Sequence, residues 1–585
     1  MNNNFFDFDN LKQGPFNKLK LFWESMAPGV TYDALMQRCS VERDNCCNGD
    51  NRLKKFPNVR LLIDLTINRN IELFELTIAS WVFQSLNLRD CVILCNEAQQ
   101  NQVRRYFSDY IPFSCSENFI IEISLTSPTF EDVDSLIVIA HPGDIYHPSF
   151  AYSLSLVALQ SKAKVITWNS YGYANNKILT KIYRPSLQPL TLLNNNYLDT
   201  AFAVTSVEIF KYIRYKNLNN TLELVGLSFK QWLAVSLKNN WVSHSEFLSL
   251  QLINTQRNQV ISGIASCDCR HSKITGIPLE LREENENKFW IPSISPKSIT
   301  VIIPFKNQVA KTLNCISSVL KQKSEAFIDI ILINNQSEPK ELKIIKGKLN
   351  REIKNKKVVI IDYPYSFNHS RQSNIGASMA RGEMIVFLNN DAELIEVDLL
   401  DVLARFALIE NVATVGCRVV GNGDKLVSAG IVTRSKRLSQ TDSPVEENKE
   451  KKLSNLIREV TANTFAVVAI SKKRFQDIGC LDEKLYPIGY NDVEFCFRAL
   501  NAGYKHLYIG TRNVFHEPGT SRGKCDESFQ KLMLRQIYPW ISHQVNNEWK
   551  IESVSEIDRS FKAKRKDSIF GILGHFIKRK TTGFI

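Results

Sequence analysis

The sequence predicts an α/β fold made of two tandem domains, each a largely parallel sheet covered by helices. Three observations predict it. Four short runs rich in Val and Ile lie between Ser298 and Asp391, and helix-compatible segments separate them. The runs are near-continuously apolar, as strands buried on both faces should be, and strands alternating with helices give parallel βαβ units. A fainter copy of the pattern begins near Val59, which points to duplication.

The four runs are Ser298-Ile-Thr-Val-Ile-Ile-Pro-Phe305, Ile328–Ile333, Val358–Ile361 and Met384–Leu388. Helices are expected over about 310–322, 338–350 and 370–381, the last closed by Gly382 as a C-cap. In open α/β sheets, ligands bind beyond the carboxyl ends of the strands. The polar residues after each run, Pro304–Asn307, Asn334–Ser337 and Asn389-Asn390-Asp391, are therefore the candidate site.

In the earlier copy, Arg60–Leu65 and Cys91–Cys95 read as strands and Leu73–Phe83 as a helix. Ile78-Ala-Ser-Trp-Val-Phe-Gln84 repeats the Ile, Ser and Gln spacing of Ile316-Ser-Ser-Val-Leu-Lys-Gln322. The run Ser135–Ala140 leads into His141-Pro-Gly-Asp144, in the place of Asn389-Asn390-Asp391. Residues 230–256 read as helical. The expected divisions are an N-terminal extension (1–54), a first domain (55–256), a charged linker (257–297), a second domain (298–525) and a helical basic tail (526–585).

Thirteen scattered cysteines, an odd number, suit a reducing compartment. The N-terminus lacks the basic and apolar regions of a secretory signal, and no apolar run approaches the length of a membrane-spanning helix. A cytoplasmic protein is expected. Cys267-Asp-Cys269-Arg-His271 has no zinc spacing and reads as loop thiols. The net charge of +13 is concentrated at the end, where 558–585 carries eight Lys or Arg against two acids. Without a nucleic-acid motif, charge alone does not argue for nucleic-acid binding.

Asp391 follows five apolar residues, so it should sit at a strand end, where an acid needs a cation or hydrogen bonds. A hard divalent ion shared with a phosphate needs one or two carboxylates, and Asp391 with Glu393 fits; an acid capping the next helix is the plain alternative. Asp492 opens Asp-Val-Glu-Phe-Cys-Phe-Arg and, with Glu494, should face polar surroundings. A carboxylate at a helix start can serve as general base or simply as N-cap. His516 ends an apolar run and could be a ligand or a structural histidine.

Together these pieces resemble the family 2 glycosyltransferases of the GT-A fold, in particular bacterial enzymes that build O-antigen or capsule. The resemblance rests on Val301-Ile-Ile-Pro-Phe-Lys-Asn307, Ile333-Asn-Asn-Gln-Ser337, Phe367-Asn-His-Ser370 with Asn374 and Gly376, Leu388-Asn-Asn-Asp-Ala-Glu393, Ser428-Ala-Gly-Ile431, Gly479-Cys-Leu-Asp-Glu483, Tyr490-Asn-Asp-Val-Glu-Phe-Cys-Phe-Arg498 and His516. It implies that Asp391 and His516 hold Mn²⁺ or Mg²⁺ on the donor diphosphate, and that Asp492 is the catalytic base. Pro304, Phe305, Asn334, Asn374, Asn389 and Asn390 would line the donor site. The family often has Asp where this chain has Asn334 and Asn389, although Asn-Asn-Asp is a familiar variant. The implied donor is a UDP- or dTDP-linked sugar and the implied acceptor a glycan or lipid-linked glycan.

The first copy resembles the family more faintly. Gly143 falls at the metal-binding acid's position, and Glu223 is the only acid near the expected base motif, so this copy reads as degenerate. In the tail, Ile569, Ile572, Leu573, Phe576 and Ile577 share one helix face flanked by basic residues. Such a helix can lie on an anionic membrane surface, here the inner face of the bacterial membrane, or dock on the protein itself. A non-catalytic carbohydrate-binding scaffold is the alternative to the enzyme.

Overall fold

The computed structural model describes residues 19–20, 58–65, 71–82, 84, 89–110, 119–120, 135–174, 177–184, 187–216, 227–237, 240–252, 274–284, 287–434, 437–440, 454–516, 528–539 and 550–553. The expected N-terminal extension (Leu19 and Lys20 aside), the Cys267–His271 segment and the basic tail helix lie outside these residues. Two compact units divide the chain. The first comprises 1–187, 196–266 and 549–585; the second comprises 188–195 and 267–548.

The first unit runs β1 (Val59–Asp64), α1 (Ile71–Val82), β2 (Arg89–Leu94), α2 (Glu97–Tyr110), β3 (Phe119–Ile120), β4 (Leu136–Ala140), β5 (Ile145–Tyr146), α3 (Phe150–Ser161), β6 (Val165–Ala174), β7 (Lys177–Tyr183), β8 (Phe202–Thr205), α4 (Ser206–Lys216), α5 (Leu227–Ser236) and β9 (Trp241–Leu252). Strands β3, β2, β1 and β4 are parallel neighbours, and β8 joins antiparallel to β4. The strand Lys550–Ser553 pairs with β7.

The expected helix over 230–256 holds only to Ser236. Trp241–Leu252 is instead a strand parallel to β6. Its end, Leu248-Ser-Leu-Gln-Leu252, alternates apolar and polar residues as a pleated surface does, and Trp168 Nε1 on β6 donates to Ser249 Oγ at 3.0 Å.

The second unit repeats this order. After the hairpin β10 (Leu279–Glu284) and β11 (Asn287–Pro292) come β12 (Ser298–Phe305), α6 (Val309–Leu320), β13 (Phe327–Asn334), α7 (Pro339–Lys348), β14 (Val358–Asp362), α8 (His369–Met379), β15 (Met384–Leu388), β16 (Ala392–Leu394), α9 (Leu399–Ala407) and β17 (Val412–Val420). Then follow β18 (Leu426–Ser428), β19 (Ile431–Arg434), β20 (Arg437–Gln440), β21 (Ile457–Val460), β22 (Val467–Ser471), α10 (Lys472–Asp477), α11 (Asn491–Asn501), β23 (Lys505–His516) and α12 (Ser528–Ile537). The sheet order is β14-β13-β12-β15-β22-β17-β23-β16, matching β3-β2-β1-β4-β8-β6-β9-β5 of the first unit.

The near-continuous apolar runs have a direct explanation. Along β12, Ile299, Val301, Ile303 and Phe305 enter one core, while Ile302 enters another on the opposite face. β13 and β15 divide the same way: Ile330, Leu332, Val386 and Leu388 on one side, Ile331, Ile333, Ile385 and Phe387 on the other. Apolar residues on both faces of these three strands are buried, so their runs show no simple polar alternation.

The expected linker contains the β10–β11 hairpin, whose Phe289 and Ile291 join the second unit's core. Charges on and around the hairpin are paired. Arg512 is 2% exposed and contacts Glu284 and Asp398, while Arg282 meets Asp398 and Arg405 meets Asp401. The alternation of apolar and charged residues was a hairpin signal that the density of charge obscured. Gly382 is not a left-handed C-cap either. Its amide donates to Thr300 Oγ1 at 2.8 Å, and a Cβ there would lie 2.5 Å from Thr300 N. The requirement is close approach of two backbones.

Candidate active site

The carboxyl ends of β12, β13 and β15 in the second unit carry Pro304, Phe305, Asn334 and the Asn389-Asn390-Asp391 turn, which the sequence singled out. Parallel register sets Phe305 beside Asn334, and Asn334 beside Asp362. β15 stops at Leu388, and Asn389-Asn390-Asp391 turns the chain into the short strand β16. β16 pairs antiparallel with the end of β23, placing Ala392 opposite His516. That pairing brings Asp391 Oδ1 to 3.2 Å from His516 Nε2. Asn389 Nδ2 lies 3.3 Å from the same nitrogen.

These two contacts ask opposite things of Nε2. Toward Asn389 it must accept; toward Asp391 it must donate. The accepting tautomer presents a ring lone pair and a carboxylate oxygen side by side. Among the described residues, no three His, Cys, Asp or Glu side chains form a metal cage. One carboxylate and one imidazole nevertheless suit a divalent ion that takes its remaining positions from phosphate oxygens and water. Their 3.2 Å separation matches the edge of an octahedron with bonds of about 2.1 Å. The residues present therefore fit the metal that the resemblance implies. Glu393 faces elsewhere, accepting from Asn314 Nδ2 at 3.2 Å.

Asp492 is half-buried in the first turn of α11. Its Oδ2 accepts from Phe465 N at 3.4 Å and its Oδ1 from Val493 N at 2.8 Å. The next residue, Ala466, accepts at its carbonyl from Asn389 N at 3.0 Å. Two consecutive residues thus connect Asp492 to the Asn389–His516–Asp391 cluster. The polar surroundings expected of Glu494 are protein groups. It is buried, bound to Arg498 at 2.7 Å and to Tyr538 Oη at 2.9 Å. Arg498 in turn donates to the carbonyls of Ile478 and Cys480, so the pair anchors α11.

The remaining candidates are tied to protein. Asn390 Nδ2 donates to Thr312 Oγ1 on α6. Asn374 exchanges hydrogen bonds with Leu481 and donates to Glu483. Asn334 donates to Asp362 Oδ1 at 2.7 Å and accepts from Ser337 N at 3.0 Å. Phe305 is buried and Pro304 half-buried at the end of β12.

Sequence reasoning missed a buried brace behind α11. Thr414 Oγ1 lies 2.7 Å from His506 Nδ1, and His506 Nε2 lies 2.8 Å from the Cys496 carbonyl. A carbonyl only accepts, so Nε2 carries the proton and Nδ1 accepts from Thr414. Burial lowers His506 from the usual 6.5 to about 4, consistent with a neutral ring. Nothing in the spacing of a lone histidine signals this. Asp362 was also missed, although it follows Val358–Ile361 as Asp391 follows Met384–Leu388.

In the first unit, the loop between β4 and β5 is one residue longer. Asp144, not Gly143, immediately precedes the short strand, as Asp391 does in the second unit. Asp144 accepts from Thr200 Oγ1 at 2.7 Å and from His141 N at 3.1 Å. Gln251, near the end of β9, donates to Thr200 and accepts from Arg184 Nη2 at 2.6 Å. Arg184 also donates to Ser170 and the Tyr197 carbonyl. An internally bonded Asp–Thr–Gln–Arg network thus stands where the second unit has Asp391 and His516. On α5, Lys230 is fully buried and donates to Asn196 Oδ1 at 2.6 Å. Glu223 lies outside the described residues.

Residues 300–472 match the family model of glycosyl transferase family 2. Over 256 residues the chain is 26% identical to the O-antigen biosynthesis protein RfbC of Myxococcus xanthus, covering 42% of this chain and 19% of that protein. Over 261 residues it is 21% identical to the uncharacterized protein y4gI of Sinorhizobium fredii, covering 44% of this chain and 28% of that one. The chain therefore spans less than a third of either relative's length. Among solved structures, GalNAc-T7 with UDP, GalNAc and Mn²⁺ matches at TM-score 0.36 and 18% identity, over 44% of this chain and 52% of that one. The mannosyltransferase PcManGT of Pyrobaculum calidifontis, in complex with GDP-Man and Mn²⁺, matches at TM-score 0.30 and 12% identity, over 48% and 80%. Among the described residues, no helix is long and apolar enough to cross a membrane.

Proposed function

We propose, from the match of residues 300–472 to the family model of glycosyl transferase family 2, that the second unit is an inverting, metal-dependent enzyme of that family. It would move a sugar from a UDP- or dTDP-linked donor to a hydroxyl of a growing cell-surface glycan. The observation that carries this reading is the short connection from Asp492, through Phe465 and Ala466, to Asn389 and the Asp391–His516 pair. It supports an acid–base group and an anion-binding centre in one site.

Asp391 and His516 would hold Mn²⁺ or Mg²⁺, which when bound offsets the charge on the departing diphosphate. Asp492 takes the proton of the acceptor hydroxyl while that oxygen bonds to the anomeric carbon. The bond from that carbon to the phosphate oxygen breaks, and its electron pair leaves with the nucleoside diphosphate. One displacement inverts the anomeric configuration. The Glu494–Arg498 pair and the His506 brace hold α11, and therefore Asp492, in place.

Similarity to a protein named for O-antigen biosynthesis supports a cell-surface glycan as acceptor. The basic stretch 558–585 supports contact with the inner face of the cytoplasmic membrane. The first unit is read as non-catalytic, because its network satisfies Asp144 and Arg184 internally. The test is incubation of the purified chain with Mn²⁺, UDP- and dTDP-sugars and glycan acceptors, reading nucleotide release and the anomeric configuration of the product by NMR. Retention of the donor configuration would contradict the single displacement.

A further inference from the structure

The base of the donor nucleotide needs a reader, and Asn334, which the resemblance places in the donor site, is held by protein through both side-chain groups. Its amide nitrogen donates to Asp362 and its carbonyl accepts from Ser337 N. Asn334 is also buried, whereas Asp362, its register partner at the carboxyl end of β14, is exposed. Only Oδ1 of Asp362 is occupied, by Asn334 at 2.7 Å. The other oxygen has no partner among the described residues and stands at the ligand-binding end of the sheet.

A second observation points to a ligand at the same end. Asn335 Oδ1, both polar atoms of the Gln372 side chain and Ser373 Oγ are buried without hydrogen-bond partners in the structure. Asn335 directly follows β13, and its amide N donates to the Phe305 carbonyl. Gln372 and Ser373 lie about one turn before Gly376 on α8, where a Cβ would meet Ile302 Cγ2 at 2.4 Å. One turn advances about 5.4 Å, which at about 3.3 Å per strand residue carries them to the level of Ile303 and Pro304. A buried polar atom without a partner is rare in a finished fold and asks for a ligand or water.

We infer that Asp362, oriented by Asn334, reads the donor base and selects bases that present an imino N–H. This rests on the donor site proposed above. A carboxylate only accepts hydrogen bonds. Uracil and thymine offer N3–H to it, and guanine offers N1–H. Cytosine presents a lone pair at N3 and adenine one at N1, so oxygen would face nitrogen without a proton between them.

The orientation gives a sharp test in Asp362→Asn, a substitution at an exposed position. Asn334 Nδ2 keeps an accepting oxygen toward itself, so the outward atom of the replacement is an N–H donor. It opposes the imino proton of uracil and matches the lone pair of cytosine. The experiment is calorimetric titration of the full chain, with Mn²⁺, by UDP, dTDP, GDP and CDP, for wild type, Asp362→Asn and Asp391→Ala. Wild type should favour an imino base over CDP by about tenfold or more. Asp362→Asn should reverse that ratio, while a merely structural role would weaken all nucleotides alike. The order of UDP, dTDP and GDP in wild type identifies the imino base used. An unchanged UDP-to-CDP ratio in Asp362→Asn overturns the base reader alone, provided Asp391→Ala still abolishes binding. Absence of nucleotide binding by wild type overturns the donor-site reading and the base reader with it.

Discussion

Gln84 and Gln322 make the same hydrogen bonds in the two units. Gln84 Nε2 donates to the carbonyls of Ser80 and His147, and its Oε1 accepts from Ala151 N. Gln322 Nε2 donates to the carbonyls of Ser318 and Glu396, and its Oε1 accepts from Leu400 N. Each glutamine lies just beyond the first helix of its unit and caps the helix that follows the short strand, α3 or α9. Neither of those helices has a capping hydrogen bond from its own N-cap side chain. Ser80 and Ser318 add a second shared bond, accepting from Tyr146 N and Leu394 N. The Ser and Gln spacing noticed in sequence is thus a repeated brace between the first helix and the helix after the short strand, which share one core in each unit.

Replacing Gln322 with Ala leaves Leu400 N and the Glu396 carbonyl without this partner. The expected loss is about 1–3 kcal/mol, read as a lower urea midpoint, and Gln84→Ala should cost a similar amount. A midpoint unchanged in both variants would show that the brace adds nothing.

Gly376 permits α8 to lie directly on β12. A Cβ there would be 2.4 Å from Ile302 Cγ2, so Gly376→Ala must push the helix off the sheet. Overpacking of this kind costs about 1–3 kcal/mol, although alanine favours the helix. Pairing it with Ile302→Val should recover part of the loss in chemical denaturation.

Much of this fold was legible because both faces of the central strands β12, β13 and β15 bury apolar residues. The runs in β12, β13, β14 and β15 have no polar alternation to confuse them, and their ends locate Asn334, Asn389 and Asp391. The strand Trp241–Leu252 and the β10–β11 hairpin were less legible. Their polar residues are satisfied by distant partners, such as Trp168 for Ser249 and Arg512 for Glu284, and one sequence does not display such pairings. The same holds within the site. The resemblance put Asp391 and His516 in one place, but the commitments of Asn374, Asn390 and Glu494 to neighbouring elements depend on packing.

Buried His506 makes stability depend on pH. Its folded pKa is about 4, against 6.5 for an ordinary histidine. Above pH 6.5 both folded and unfolded rings are neutral. Between there and about 4 the unfolded chain takes up a proton that the folded chain refuses, so stability falls as pH falls. The full window is worth about 3 kcal/mol. Buried His147 in the first unit, also lowered to about 4, acts in the same direction. Urea denaturation at pH 7.5 and pH 5 should show the loss, and His506→Gln should flatten the slope even if it lowers stability overall.

Asp492→Asn keeps the shape of the α11 N-terminus but removes the carboxylate proposed as proton acceptor. Turnover should fall by about 10²–10⁴-fold, with nucleotide affinity little changed because the Asp391–His516 pair is untouched. A mutant that keeps full turnover would move the base elsewhere.

The most direct measurement is calorimetric titration of UDP and dTDP into the full chain with and without Mn²⁺, for wild type, Asp391→Ala and His516→Ala. The expected result is metal-dependent binding of one nucleotide per chain, abolished by Asp391→Ala and weakened by His516→Ala. Binding that needs no metal, survives Asp391→Ala or saturates at two nucleotides per chain would contradict a single donor site in the second unit.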